Sequence, residues 1–172
     1  MKRIVIAAMG VALLCAAIVW SHWSAAPLPG TAQADHIVVE KHKHQLTLYA
    51  KGTALRTYAV ALSRNPVGPK ERVGDWRTPE GHFIIDHRNP KSEFHLSLHI
   101  SYPTPADRAR ARALGYFPGG EVMIHGVTSR FAWLGRAQQL FDWTAGCIAV
   151  TNDQIEEIAR VVPDGTPIEI RP

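Results

Sequence analysis

Two apolar runs decide how this chain folds: Met123-Ile124-His125-Gly126 and Thr144-Ala145-Gly146-Cys147-Ile148-Ala149-Val150. Each run is typical of a short strand, and each carries a reactive side chain beside a glycine. A cysteine thiol, with an ordinary pKa of about 8.5, is only a few per cent thiolate at neutral pH and needs a neighbouring base. The two runs therefore predict a Cys147 nucleophile and a His125 base, brought together by the rest of the domain.

The glycines of these runs fit that chemistry. Gly146 permits a tight backbone that exposes the thiol and turns amide donors toward a developing oxyanion. Gly126 lets substrate or Cys147 approach the strand that carries the histidine. The same residue types also fit a structural alternative, because buried free thiols are common and mostly inert. Residue types alone leave both interpretations open.

The N-terminal segment has the pattern of an export signal. A short basic start, Met1-Lys2-Arg3, precedes 17 uncharged residues at 4–20. Ala32-Gln33-Ala34 offers a cleavage site of the A-x-A type. An uncleaved inner-membrane anchor is the alternative, since a segment of that length lies at the short limit for crossing a bilayer. Both interpretations make residues 1–34 a signal or anchor plus linker, and both place residues 35–172 outside the cytoplasm.

The size and charge of the chain indicate one catalytic domain at residues 35–172. A chain of 172 residues with 46% hydrophobic composition can bury one proper core. The formal net charge is +4, but residues 35–172 hold 17 Lys+Arg against 15 Asp+Glu. This small excess gives little support to a nucleic-acid partner.

The cysteine count sharpens the interpretation of Cys147. Cys15 lies in the apolar N-terminal segment as a small hydrophobe, so Cys147 is the only cysteine of residues 35–172. In an oxidising compartment an unpaired thiol is either a liability or a reactive group. The lack of a second thiol there disfavours a thiol oxidoreductase. His42 and His44 share a Lys-rich turn without a third ligand nearby, so we expect no metal site there.

The spacing of apolar residues predicts a mostly β (α+β) domain. A long ordered loop is predicted at residues 63–80, which are rich in proline and glycine. Helices are predicted at residues 105–114 and from Thr151, whose spacing to Gln154 matches a capping box. Apolar runs bounded by turn residues predict strands at residues 37–39, 46–49, 55–62, 81–85, 94–100, 121–125 and, as an edge strand, 167–171.

Two further predictions concern the faces of these elements. In residues 94–100 apolar and polar side chains alternate, so the apolar set should pack in the core while His95, Ser97 and His99 face solvent or a cleft. Residues 129–142 predict a helical flap above the site. Its aromatic side chains should be buried, and its helical face consists of four residues at the appropriate spacing: Phe131, Leu134, Gln138 and Phe141.

Two motifs resemble one known family. His125-Gly126, followed after a gap by Thr144-Ala145-Gly146-Cys147, resembles the H-G … [S/T]-x-G-C signature of the L,D-transpeptidase (YkuD) family. Arg77-Thr78-Pro79-Glu80-Gly81-His82-Phe83 resembles the T-P-x-G-x-F segment of that family. The resemblance implies a β-sandwich or barrel with a few short helices. It also implies a periplasmic enzyme that acts on peptidoglycan stem peptides without a metal or other cofactor.

The resemblance also implies roles for individual residues. Cys147 would attack the diaminopimelate carbonyl of a tetrapeptide stem, release D-Ala and hold the stem as a thioester until an amine resolves it. His125 would act as the base. The oxyanion site or pocket would be formed by residues of the two motifs, Thr144, Ala145, Gly146 and Gly126. Apart from the resemblance, we consider three further residues as candidates for substrate binding: Arg77, His99 and Tyr102.

One departure from the family pattern leaves the acyl acceptor open. Many members carry an arginine two residues after the cysteine, where this chain has Ala149, and a methyl group cannot hold a carboxylate as an arginine does. Lys70, Arg72 or Arg77 could supply the missing charge. With water as acceptor the enzyme would be a carboxypeptidase or endopeptidase that trims stems or detaches a wall-bound lipoprotein. A non-catalytic wall-binding module is the remaining alternative.

Overall fold

One curled sheet of eight strands organises the part of the chain that the computed structural model describes, residues 2–23 and 25–172. Met1 and Ser24, which belong to the predicted signal and linker, lie outside it. The strands are β1 His36–Glu40, β2 Gln45–Ala50, β3 Thr53–Ala59, β4 Gly81–Asn89, β5 Ser97–Ile100, β6 Met123–His125, β7 Ile148–Ala149 and β8 Pro167–Arg171. Across the sheet their order is β3-β2-β1-β8-β4-β5-β6-β7. The predicted α+β fold with few helices is confirmed.

The N-terminal strands form the predicted hairpin and extend it. β1 and β2 pair antiparallel, and β3 continues the antiparallel meander. The side chains that close the core from this side are fully buried, in agreement with the apolar spacing: Ile37, Val39, Leu46 and Leu48. The short 3-10 helix Lys41–Lys43 occupies the turn.

The C-terminal strand β8 lies in the middle of the sheet, so the predicted edge position is wrong. β8 pairs parallel with β1 and antiparallel with β4. Ile168 and Ile170 are 1% and 2% exposed, because β8 has a neighbour on each side and the core beneath it. Its length of five residues suggested an edge strand, but strand length does not determine the neighbours of a strand.

The strand predicted at residues 94–100 begins later than expected. β5 starts at Ser97, since His95 has a positive φ of 74° and cannot continue an extended ladder. Ser97 is 1% exposed, although the alternation placed it on the polar face. It is buried because it pairs with His125 on β6, beneath the side chains that cover the candidate site.

The segment after β3 carries the chain from the hairpin to the site. β3 ends at Ala59, earlier than predicted, and the following residues run on without a continuous ladder. Isolated bridges join Ala61 to Ala149 and Ser63 to Thr144. The predicted loop at residues 63–80 is confirmed, and it contains no helix or strand.

The helices agree with their sequence signals where caps were present. α2 Pro105–Ala113 begins with proline after the N-cap Thr104. α3 Asn152–Val161 begins with the predicted capping box between Thr151 and Gln154, and its buried stripe includes Ile155 and Ile158. α1 Lys2–Ser21 covers the apolar N-terminal segment. None of the helices in the described residues combines the length and the apolar character that crossing a membrane requires.

The segment predicted as a helical flap differs most from its prediction. The 3-10 turns of Ser129–Leu140 are interrupted at Gly135, whose φ is 50°. Phe131 and Phe141 are 49% and 71% exposed, so the predicted burial of the aromatic side chains is wrong. Gln138 is the buried residue of this segment. A helical spacing fails here because the backbone changes direction at Gly135, and the side chains beyond it no longer share a face.

Candidate active site

The pairing of β6 with β7 brings the two predicted reactive residues to one place. The strands are parallel, with Ile124 opposite Ile148 and His125 opposite Ala149. Side chains alternate along a strand, and paired residues project from the same face of a sheet. Cys147 directly precedes β7 and therefore lies on the face of His125, level with Met123. Its Sγ lies 3.5 Å from the Glu121 carbonyl oxygen.

The backbone fixes the imidazole of His125 in the orientation that a base requires. Nδ1 lies 2.6 Å from the Gly126 carbonyl oxygen. A carbonyl only accepts, so Nδ1 carries the hydrogen and Nε2 keeps its lone pair. The residue is 3% exposed. The ring stands 4.5 Å from the Phe94 ring and 5.7 Å from the Trp143 ring, between centroids.

Burial keeps both reactive groups neutral at rest. It lowers the pKa of His125, and the hydrogen bond with Gly126 opposes this only in part. Burial also raises the pKa of the Cys147 thiol, against the backbone hydrogen bond at Met123 and the positive charge of Lys70. The resting pair is thus an imidazole that can accept a proton and a thiol that can give one.

Thr144 organises the turn that carries the thiol. Its hydroxyl donates to the Cys147 carbonyl at 2.7 Å and accepts from the Gly146 amide at 3.2 Å. The Thr144 amide donates to the Leu62 carbonyl at 3.1 Å. The Gly146 amide is therefore engaged inside the turn, while Ala145 is exposed at its tip. These contacts join the nucleophile to the segment that leaves β3.

The two glycines of the site have specific neighbours. Gly146 has a φ of 140°, and a Cβ at this position would lie 2.9 Å from the Arg77 carbonyl oxygen. Only glycine lets the loop pack this closely on the nucleophile turn. A Cβ at Gly126 would collide with the Asn152 side chain and the Phe94 backbone. Gly126 thus makes room for the protein itself, which corrects the expectation that substrate or Cys147 occupies that space.

Lys70 is the loop cation whose charge lowers the pKa of the Cys147 thiol. Its side chain is 5% exposed, and Nζ donates to Asp75 Oδ1 at 2.8 Å and to the Arg72 carbonyl at 3.2 Å. Nζ also lies 4.0 Å from the position that a Gly146 Cβ would take. Burial raises the pKa of Asp75, but hydrogen bonds from the Arg72 amide and Lys70 outweigh it and lower that pKa. Asp75 is therefore a carboxylate that accepts the hydrogen bond from Lys70.

The other two candidate cations lie elsewhere. Arg72 is placed over the Tyr116 ring, 5.2 Å from its centroid. Arg77 Nη1 lies 3.5 Å from the Pro69 carbonyl and 3.9 Å from the Glu71 carboxylate, and its buried Nε has no hydrogen-bond partner. The Arg77 side chain thus remains a candidate for substrate binding. Residue type alone does not distinguish Lys70 from these arginines.

Two predicted substrate contacts are engaged within the protein. Tyr102 is 3% exposed and donates its hydroxyl hydrogen to the Pro118 carbonyl at 3.1 Å. His99 lies on the sheet face of His125, but its Nδ1 is 2.6 Å from Asp86 Oδ1. The turn histidine His44 bonds to Asp142 rather than to solvent alone, with Nε2 2.9 Å from Oδ2.

The side chains that enclose His125 do not follow from the sequence pattern. The alternation of residues 94–100 predicts Phe94 in the core, and no pattern gives Trp143 a role. Trp143 Nε1 donates to Gln138 Oε1 at 2.9 Å, which connects the flap to the aromatic wall of the site. The position of Trp143 directly before the Thr144-Ala145-Gly146-Cys147 motif was the available signal.

Comparison with known proteins settles the family. The sequence model of the L,D-transpeptidase catalytic domain, YkuD, matches residues 34–170. The chain belongs to the L,D-transpeptidase (YkuD) family. A curated relative of this L,D-transpeptidase domain is the putative L,D-transpeptidase YafK of Escherichia coli K12, which is 29% identical over 133 residues. The match covers 74% of this chain and 46% of YafK, so the chain spans less than half the length of that relative.

Solved structures share the fold of this chain. Bd1075 from Bdellovibrio bacteriovorus superimposes with a TM-score of 0.57 at 21% identity, over 84% of this chain and 50% of that protein. The helical cell shape determining protein Pgp2 from Campylobacter jejuni gives a TM-score of 0.59 at 22% identity, over 81% and 48%. The family and the fold that the sequence motifs predicted are both confirmed.

Proposed function

We propose that this L,D-transpeptidase-family chain is an exported cysteine acyltransferase that acts on peptidoglycan stem peptides. The observation that carries the proposal is the parallel register of β6 and β7, which sets Cys147 on the face of His125. The Gly126 carbonyl holds Nδ1 of that histidine and leaves Nε2 as the base. Family membership supports peptidoglycan as the substrate.

The reaction that this geometry supports has two halves, formation of a thioester and its resolution by an acceptor. Each half involves two proton transfers. Nε2 of His125 takes the Cys147 proton while Sγ attacks the diaminopimelate carbonyl carbon of a tetrapeptide stem. The tetrahedral intermediate collapses, the bond to the nitrogen of D-Ala breaks, and His125 returns the proton to that nitrogen. An acceptor amine then attacks the thioester. His125 removes the proton of the amine and restores the thiol.

The surroundings assist these steps in different ways. Phe94 and Trp143 exclude water from His125, so its neutral form persists and accepts the thiol proton. Lys70 stabilises the negative charge that develops on Sγ, as a nearby cation does for a thiolate. The hydroxyl of Thr144 holds the Cys147 carbonyl and keeps the thiol in place during attack. Each of these groups acts without a cofactor.

A hydrolase is the second candidate, with water as the acceptor. Two observations favour it. Ala149 is fully buried and presents no cation for the carboxylate of an acceptor stem. The flap side chains Trp133 and Phe141 are 69% and 71% exposed and do not shield the site from water. A hydrolase of this kind would trim stems or release a wall-bound lipoprotein.

Mass spectrometry of the intact protein tests the proposal. Incubation with a purified tetrapeptide muropeptide should add the acyl mass to the wild type and nothing to Cys147→Ala. Analysis of the released products then separates the candidates, since a cross-linked dimer indicates transfer and a tripeptide indicates hydrolysis. A folded wild-type protein that never forms the adduct would show a non-catalytic wall-binding module instead.

Export is part of the proposal and has its own test. The apolar segment at residues 4–20 and the A-x-A site before Asp35 support secretion to the periplasm. Fractionation of producing cells should recover the protein in the periplasm or on the inner membrane. Its intact mass distinguishes removal of residues 1–34 from retention of that segment. Recovery in the cytoplasm with the full mass contradicts export.

A further inference from the structure

Three potential metal ligands converge on β4 and β5, separate from Cys147 and His125. The pairing of the two strands shifts between Ile85 and His87, where β4 carries a bulge. A bulge sets two residues of one strand against one residue of its partner. Here it turns the consecutive residues Asp86 and His87 toward the single residue His99.

The ligand atoms of this group already lie close together. His99 Nδ1 is 2.6 Å and His87 Nδ1 is 3.0 Å from the same oxygen, Asp86 Oδ1. One ligand atom from each residue lies within 4.8 Å of the other two. Two imidazole nitrogens and one carboxylate oxygen are a ligand set that zinc and neighbouring transition metals favour.

We propose that Asp86, His87 and His99 form a binding site for a divalent transition-metal ion of the zinc class. The ligands are Nδ1 of each histidine and one oxygen of Asp86. Three protein ligands leave a coordination position open to water or to a small anionic ligand. This site is separate from the thiol and imidazole of the proposed reaction, and the proposal does not depend on that reaction.

Half of the site is held in place before a metal arrives. The His99 side chain is 13% exposed on β5, whereas the His87 side chain is 60% exposed. The two rings are stacked, with centroids 4.5 Å apart and planes inclined by 23°. A coordinated ion lies in the plane of each imidazole, where the lone pair points. The exposed His87 ring therefore turns to close the site on the fixed pair of Asp86 and His99.

The carboxylate of this group is in the form that binds a cation. Burial alone would raise the pKa of Asp86, but its hydrogen bond with His99 and the charges of His99 and His87 outweigh burial and lower the pKa. On binding, the ion takes the place of the hydrogen bonds that now join Nδ1 of each histidine to Asp86 Oδ1, so each Nδ1 gives up the hydrogen that it directs at the carboxylate.

Cys147 lies on the same sheet face as this group and could also bind the metal, so the binding experiment must exclude it. His99 pairs with Met123 on β6, and Cys147 lies level with Met123 on the next strand. Strands are about 4.8 Å apart, so Cys147 stands about 10 Å from the strand position of His99. A thiolate also binds zinc. The binding experiment therefore uses the Cys147→Ser protein.

Calorimetric titration with zinc chloride tests the site in the full chain, after removal of any purification tag. The Cys147→Ser protein should bind one ion, and a further His99→Ala substitution should weaken the affinity at least about tenfold. His82→Ala is the matched control, because His82 is an exposed histidine on β4 outside the group. Its substitution should leave the affinity unchanged. Circular dichroism checks that each variant is folded, and His99→Gln replaces His99→Ala if the latter unfolds.

Electron paramagnetic resonance with Cu²⁺ identifies the ligands directly. The Cys147→Ser protein should show hyperfine coupling to two nitrogens, and His87→Ala should reduce this to one. The site is overturned if the Cys147→Ser protein binds no zinc. It is also overturned if a folded His99 variant binds zinc as tightly as its parent, or if the copper spectrum is unchanged by His87→Ala.

Discussion

The loop of residues 63–80 and the flap of residues 129–140 border the same candidate site but are held in opposite ways. The loop has no regular structure, yet two buried lysines hold it: Lys70 through Asp75, and Lys41 through the Gly68 carbonyl and Glu80. The flap has regular 3-10 turns but leaves most of its aromatic side chains in solvent. Buried charged side chains thus anchor the loop, whereas the 3-10 turns of the flap leave its aromatic side chains unburied.

The largest expected effect comes from removing Lys41, which ties the loop to the turn between β1 and β2. Its side chain is 3% exposed, and Nζ lies 2.7 Å from Glu80. Lys41→Met leaves a largely buried carboxylate without its partner and should lower the free energy of unfolding by about 3 kcal/mol. Urea unfolding measures this. Lys43→Met is the matched control on the same turn, since Lys43 makes an exposed pair with Glu40 that contributes less than about 1 kcal/mol. Equal losses for the two variants contradict the comparison.

The second effect concerns the charge that the loop brings to the thiol. Lys70→Met removes the cation that lowers the pKa of Cys147, so alkylation of the thiol by iodoacetamide near neutral pH should slow about tenfold. The midpoint of its pH profile should move to higher pH. Lys70→Arg should restore the profile at least in part, and Arg72→Met should leave it unchanged. A profile that does not move in a folded Lys70→Met protein would contradict this role.

A third effect follows from the burial of His125 beside the rings of Phe94 and Trp143. An ordinary histidine takes up a proton near pH 6.5, but burial lowers the pKa of His125 in the folded protein. Below about pH 6.5 the unfolded chain therefore binds more protons, and the folded state loses stability as the pH falls. Urea unfolding at about pH 8 and about pH 5.5 should show a larger loss for the wild type than for His125→Asn. An equal loss in both proteins would be inconsistent with a lowered pKa.

The smallest effect is expected from the flap. Trp133→Ala changes a side chain that is 69% exposed, so the free energy of unfolding should change by no more than about 0.5 kcal/mol. Trp143→Ala is the informative partner, because Trp143 contacts both His125 and Gln138. Its loss should destabilise the protein by more than the Trp133 substitution and raise the pKa of His125 by admitting water. Thermal unfolding and an NMR titration of the imidazole measure the two quantities. Similar effects of the two substitutions would contradict the inference that the flap contributes little to stability.

Sequence patterns predicted the parts of this molecule that depend on nearby residues. The hairpin, the capped helices and the pairing of the His125 and Cys147 runs all follow from local spacing or from a short motif. The central position of β8 could not be predicted, because it depends on pairing with strands far away in the chain. The burial of Ser97 was missed for the same reason, since it reflects its partner His125.

The candidate site shows the same division. Thr144, Gly146 and Cys147 were found because they are neighbours in the sequence. Lys70 was one of three equivalent loop cations, and only the folded loop shows that its Nζ lies near Gly146. The wall formed by Phe94 and Trp143 was missed because each side chain approaches His125 from a different segment. Contacts between residues that are distant in the chain leave no recognisable pattern in a single sequence.

The central place of β8 also governs the order in which the sheet can be assembled during synthesis. β8 is the last strand of the sheet to be made, and it joins the hairpin of β1 to β3 to the half that carries the nucleophile. Until β8 emerges, each half exposes an unpaired edge at β1 or β4, which is a site for pairing with other chains. The half that carries His125 and Cys147 is thus complete in sequence well before it is enclosed. A chain interrupted before Pro167 would present two open sheets and an unenclosed candidate site.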